Sequence, residues 1–237
     1  MVRLGVNIDH VATLRQARRT SYPSLIEAAA CCEQAGAHSI TIHLREDRRH
    51  IQDADVYALR KFITTRLNLE LANTPEIIAV ALDAKPDEIC MVPERREELT
   101  TEGGLDVAGQ RDALTPAVAQ LRDAGIIVSM FIAPDLRQVE ASAAIGAPYV
   151  ELHTGTYAET SGAEQARELD RLIAAALRAR ELGLCVNAGH GLTLGNVRPI
   201  LTIPGLDTLN IGHSIICHAL FTGLGQAVRE MLNSLRL

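Results

Sequence analysis

Histidines and carboxylates gather where short apolar runs of this chain end. Asn7, Asp9 and His10 close the first run. His43 closes the second and is followed by Arg45 and His50. Glu70 ends the third, in LNLELA, and Glu151 and His153 stand two apart in YVELH. His190 lies in NAGHG, and His213 in NIGH. Histidine titrates near neutral pH, and burial can raise a carboxyl into the same range, so these residue types can move protons. A single histidine would be an ordinary surface or core residue; a series recurring at the same point of a repeated pattern is a set for acid/base catalysis. Only His38, at the start of a run, and His218, in the last helical stretch, stand apart. Glu151 and His153 share a strand parity and can face one interior. A carboxylate ending a buried strand, as Glu70 does, is costly unless it is paired, for instance with Arg45, or functional.

The second chemical theme is anion binding. Arg15, Arg18 and Arg19 follow the first run, and Arg45, Arg48 and Arg49 the second. Such a cluster is either a solvated charge run offset by Glu46 and Asp47, or a set of bidentate phosphate donors. The turns AGHG (188–191) and IGH (211–213) add backbone N–H groups where loops enter helices. Among the 23 basic residues only Lys61 and Lys85 are lysines. The first falls in an outer helical pattern, and the second between a helix and a strand at the opposite face. Schiff-base chemistry is therefore disfavoured. No HxH or HxxE pair is present. A metal site would have to be assembled from separate strands, for example from Asp9, His43 and a carboxylate.

These residues need a scaffold that delivers them to one place. Apolar, β-rich runs recur at 4–7, 39–43, 67–71, 88–92, 126–132, 149–153, 184–187 and 208–211. Their near-continuous apolar character fits strands buried on both faces. Helical patterns cover 23–36, 53–65, 74–84, 115–124, 136–145, 162–182 and 220–235. Four of them share an ending in which helix, glycine and strand follow one another: EQAGAHSITI, LRDAGIIVSM, AAIGAPYVEL and RELGLCVNAG. Eight units of about 30 residues predict a single (β/α)8 barrel domain over 1–237 with extra helices, with a doubly wound open sheet as the alternative. The long polar segment 93–111 (PERREELTTEGGLDVAGQR) follows a strand and reads as a mobile active-site loop.

Composition bounds the function further. The 237 residues are 47% hydrophobic and 22% charged, as in globular proteins. No apolar run approaches the ~18 residues of a membrane span, and the N-terminus turns polar too soon for a signal peptide. A net charge of −6 without a basic block or a tryptophan disfavours a nucleic-acid partner. Five cysteines, an odd number without CxxC and mostly inside apolar segments, read as buried thiols in a reducing cytoplasm.

Seven motifs, GVNIDHVATLRQAR, TIHLREDRRHI, LNLELA, TTEGGLDVAGQ, ELHTG, VNAGHGLT and NIGHSII, closely resemble the pyridoxine 5′-phosphate synthase family, from Gly5 to about Gly223. The resemblance implies a (β/α)8 barrel that assembles as a homo-octamer, needs no metal or organic cofactor and closes a loop over its site. It implies condensation of 1-deoxy-D-xylulose 5-phosphate with 3-amino-2-oxopropyl phosphate to pyridoxine 5′-phosphate, phosphate and water. His43 and Glu70 match its proton acceptors, His190 its proton donor, and Glu151 a charge-stabilising carboxylate. Asp9, His10, Arg45, His50 and Thr100 match positions holding the sugar phosphate. Asn7, Arg18, Gly191, Gly212 and His213 match those holding the amino-ketone phosphate. Two departures stand out: Cys217-His218 replaces a small residue followed by arginine, and 19–22 (RTSY) replaces a more glycine-containing stretch. On the residues alone two other readings stay open: a metal-dependent sugar-phosphate epimerase or isomerase, and a non-catalytic sensor of phosphorylated ligands.

Overall fold

The computed structural model describes residues 2–94 and 103–236. Among them are eight parallel strands closed into a barrel: β1 (Arg3–Asn7), β2 (Ser39–His43), β3 (Arg66–Leu71), β4 (Glu88–Met91), β5 (Ile127–Ile132), β6 (Tyr149–His153), β7 (Cys185–Gly189) and β8 (Leu206–Ile211). The ring closes in sequence order, with Leu4 opposite Leu209 where β1 meets β8. The expected barrel is therefore present, and the open sheet is not.

Among the described residues eleven helices surround the strands: α1 (Asp9–Arg18), α2 (Leu25–Ala35), α3 (Asp53–Phe62), α4 (Pro75–Ala84), α5 (Arg111–Asp123), α6 (Leu136–Ala144), α7 (Gly155–Glu159), α8 (Gly162–Glu181), α9 (Val197–Ile200), α10 (His213–Thr222) and α11 (Leu224–Ser234). Local chemistry sets their ends. Ser24 caps α2, its side-chain oxygen accepting from the Glu27 N–H, and Gly36 ends it at φ 105°, where a side chain would be strained. The four glycines expected to end helices all have positive φ. No described helix is long and apolar enough to cross a membrane.

One expectation about the strands needs correcting: their two faces are not both apolar. Leu4, Val6, Ile40, Ile42, Leu67 and Leu69 belong to the buried apolar core. Thr41, Asn68, Glu88, Ser129, Glu151, Asn187 and Asn210 are buried on the opposite parity. Their contacts cross the barrel: Asn210 Nδ2 donates to Glu151 Oε2 at 2.6 Å, Thr41 Oγ1 to Asn210 Oδ1 at 3.1 Å, and Asn187 Nδ2 to Glu88 Oε1 at 3.0 Å. The barrel lumen is thus polar, where branched aliphatic side chains are the usual filling.

The helix expectations also change in places. The stretch 220–235 is two helices, α10 and α11, broken at Gly223. In the segment 93–111, residues 95–102, Thr100 among them, lie outside the described residues. Its far end is packed: Leu105 and Val107 are buried, and the Leu105 N–H bonds the Phe131 carbonyl at 2.7 Å. A Cβ on Gly104 would fall on the backbone of Ile132 and Ala133. Gly104→Ala should therefore destabilise the protein by about 1–3 kcal/mol, seen as a lowered melting temperature; an unchanged one would show that β5 yields to this segment.

Candidate active site

A cavity of about 540 Å³ opens at the C-terminal ends of the strands. Where β1 turns into α1, Asn7 and Asp9 lock together. The Asp9 N–H donates to Asn7 Oδ1 at 2.9 Å, and Asn7 Nδ2 donates to Asp9 Oδ2 at 2.8 Å. The His43 N–H reaches Asp9 Oδ1 at 2.8 Å and ties the β2 end to the same carboxylate. Burial pushes the Asp9 carboxyl up to about 6, against the pull of His43, Asn7 and Arg45.

The His43 imidazole lies between two acids. Its Nε2 is 2.6 Å from Glu94 Oε1, and its Nδ1 is 3.8 Å from Glu70 Oε2. Burial, reinforced by the negative neighbours Asp9 and Glu151, raises the Glu70 carboxyl well above its usual range. Glu151 is raised to about 7, again by burial first, although the Asn210 amide favours its charged form. Each negative neighbour makes the Glu70 carboxyl hold its proton more tightly, so these groups titrate as a set.

Across the cavity His190 has φ 86° and Gly191 φ 73°. Positive φ is uncommon for histidine and clusters at functional turns. Here it follows β7, where the Thr154 hydroxyl sits 2.7 Å from the Gly189 carbonyl oxygen. Burial lowers the His190 pKa, with Glu159 opposing and His213 assisting. His153 does not line the cavity. It lies behind His190, ring centres 4.9 Å apart, with Phe131 5.2 Å away edge-on, and burial pushes it down to about 4.

Two corners are suited to anions. In one, Arg45 is buried beside His50, and its Nε has no hydrogen-bond partner among the described residues. Burial first, then the neighbouring His43 and Arg45, pushes His50 down to about 3. In the other, Gly212 precedes α10, whose N-terminal residues His213 and Ser214 line the cavity. Gly212 packs so tightly on Asn7 that a Cβ would collide with it. His10 meets His213 edge-on at 4.8 Å.

The model of the family described as "Pyridoxal phosphate biosynthesis protein PdxJ" matches residues 4–237. A pyridoxine 5′-phosphate synthase from Synechococcus sp. (strain JA-2-3B'a(2-13)) is 60% identical over 238 residues, covering 100% of both chains. One from Photobacterium profundum is 59% identical over 97% of this chain and 95% of its own. The chain belongs to the PdxJ family. Solved structures confirm the barrel alone: KGPDC from Streptococcus mutans aligns with a TM-score of 0.69 at 13% identity, covering 99% of this chain and 97% of its own. Phosphoribosyl anthranilate isomerase from Thermus thermophilus aligns at 0.61 and 14%, covering 99% and 98%.

Within this PdxJ chain the cavity gathers twelve of the expected site residues: Asn7, Asp9, His10, His43, Arg45, His50, Glu70, Glu151, His190, Gly191, Gly212 and His213. Arg18 is not brought there; it is exposed in the last turn of α1. Arg49, one of the arginines read as possible phosphate donors, and Asn210, at the end of the eighth run, line the cavity as well; the sequence reading missed Phe131 and Ser214 in the lining, and Glu94 behind it. Asp9, His43 and Glu70 place ligand-type atoms within 4.8 Å of one another, a spacing that a divalent cation could also use. An activity assay therefore needs a chelator arm.

Proposed function

We propose that this chain is a pyridoxine 5′-phosphate synthase that closes the pyridine ring from 1-deoxy-D-xylulose 5-phosphate and 3-amino-2-oxopropyl phosphate, releasing one phosphate and two waters. The carrying observation is a single cavity with three acid/base side chains and two anion-suited corners, in a chain 60% identical over its full length to a protein of that name. The isomerase alternative is not favoured by those names.

The roles follow from the chemistry. An ammonium must lose a proton before its nitrogen attacks the ketone, and carbon acids must then be deprotonated. His43 and Glu70 take these protons. Oxygen leaving groups need protonation, which His190 supplies, while Glu151 offsets developing positive charge. Asp9, His10, Arg45, His50 and Thr100 hold the sugar phosphate. Asn7, Gly191, Gly212 and His213 hold the amino-ketone phosphate with Arg18, which would have to swing inward from its exposed position. The 93–111 segment, anchored at Glu94 and Leu105, shields the imine from bulk water. The chain takes no metal or organic cofactor and works as a homo-octamer in the cytoplasm. Exposed Leu220 and Phe221 on α10 provide apolar surface for assembly; the five cysteines are free, but only Cys32 and Cys90 are buried as expected, and Cys185 and Cys217 are exposed. Native mass measurement tests the assembly.

Mixing the protein with both substrates in EDTA should yield pyridoxine 5′-phosphate and free phosphate in equal amounts. Absence of product, with turnover of a single sugar phosphate on adding a divalent metal, would instead establish the isomerase reading.

A further inference from the structure

The acid at the outer edge of His43 is not explained by the roles above. We infer that Glu94 is a positioning residue that fixes the His43 tautomer, leaving Nδ1 unprotonated and facing Glu70. The inference rests on the reading of His43 as a proton acceptor.

Glu94 follows β4, and its side chain is 3% exposed. It does not line the cavity, so it acts through His43 and not on substrate. Each of its carboxylate oxygens is engaged. Oε1 is 2.6 Å from His43 Nε2, and Oε2 accepts the Glu46 N–H at 2.9 Å. Arg45 Nε, 4.0 Å from Oε2, adds positive charge. Burial opposes ionisation, but the His43 hydrogen bond, the attraction of the imidazole when it is protonated, the Glu46 N–H and Arg45 hold the carboxyl below its usual value. An ionised carboxylate only accepts, so the proton must reside on His43 Nε2. The neutral ring then carries its lone pair on Nδ1, the atom 3.8 Å from Glu70 Oε2. A carboxylate that orients a catalytic imidazole in this way sets both its tautomer and its aim. The other groups around the ring do not compete for Nε2. Asp9 accepts the His43 backbone N–H, and the His50 ring centre is 6.1 Å away.

Three substitutions in the full-length protein separate this role from simple anchoring. Glu94→Gln keeps the size but offers one acceptor and one donor to two N–H groups. It must either oppose a donor or push the His43 proton to Nδ1. Glu94→Ala removes the anchor and opposes nothing, while Glu94→Asp keeps two acceptors on a shorter stem. The expected order of kcat is wild type, Asp, Ala, Gln, with Gln lowered on the order of 100-fold or more and both KM values nearly unchanged. If the isosteric Gln is the least impaired, or if KM rises while kcat holds, the inference is overturned. Nitrogen-15 shifts of the His43 ring, assigned with His43→Gln, give a readout independent of turnover. Wild type should be protonated at Nε2, and protonation at Nδ1 overturns the inference. A wild-type protein that makes no product sinks the synthase reading separately, and the tautomer measurement still decides the role of Glu94.

Discussion

Glu70→Gln should leave the protein folded and nearly inactive. Positioned acid/base groups are worth about 10²–10⁴-fold in rate, so kcat should fall by that order while both substrates still bind. The side chain sits on β3 facing His43, and burial with Asp9 and Glu151 nearby raises its carboxyl, which favours the neutral acid and makes the carboxylate, once formed, the stronger base. Glutamine has the shape of that neutral acid but cannot exchange a proton. The stability effect has a definite sign. A carboxyl raised on folding carries no penalty below its unfolded value near 4.5, where both states are protonated, and costs stability increasingly as pH climbs toward the folded value. Removing the ionisable group lifts this penalty, so the melting temperature of Glu70→Gln at pH 7 should equal or exceed that of wild type. Product and phosphate release measure the first half, and thermal denaturation the second. Turnover within a few-fold of wild type would remove Glu70 from the mechanism. A large drop in melting temperature would show that its ionised form is structural.

The barrel was legible because its signals are local. Glycine-ended helices running into β-rich strands repeat along the chain, and helix punctuation needs only neighbouring residues. The ends of β1, β2, β3, β6, β7 and β8 were legible for a related reason: a barrel brings strand ends together whatever lies between them. Three things were hidden. The α1 stretch, DHVATLRQAR, is polar enough to pass for a loop; it buries only Asp9, Val11 and Ala12. The polarity of the lumen was spread over seven strands, a few residues each, and did not stand out within any one run. Glu94 belongs to a charged string, PERREE, in which nothing local distinguishes the one carboxylate that folds back onto His43. Long-range pairing decides that, and it has no sequence period.

Glu88→Gln tests whether the polar lumen costs stability away from the site. Glu88 lies near the start of β4, is buried, and does not line the cavity. Its carboxyl is raised to about 7, chiefly by burial, with Asp207 adding to the rise and Arg66, Arg3 and Asn187 opposing it. Below about pH 4.5 the group is protonated in folded and unfolded chains alike and carries no penalty. Between 4.5 and 7 the unfolded chain releases its proton more readily, so wild-type stability declines; above 7 the loss is constant. A rise from 4.5 to about 7 corresponds to at most about 3 kcal/mol. Glutamine retains an acceptor for Asn187 Nδ2, which bonds Glu88 Oε1 at 3.0 Å. Its amide also offers a donor to Asn187 Oδ1, which has no partner among the described residues. Urea denaturation should therefore show the two proteins alike at pH 4 and the variant more stable by about 1–3 kcal/mol at pH 8, with catalysis unchanged. Equal stability at pH 8 would mean that Glu88 ionises without penalty, so that the lumen solvates charge. A less stable variant would mean that the attraction of Arg66 and Arg3 outweighs burial.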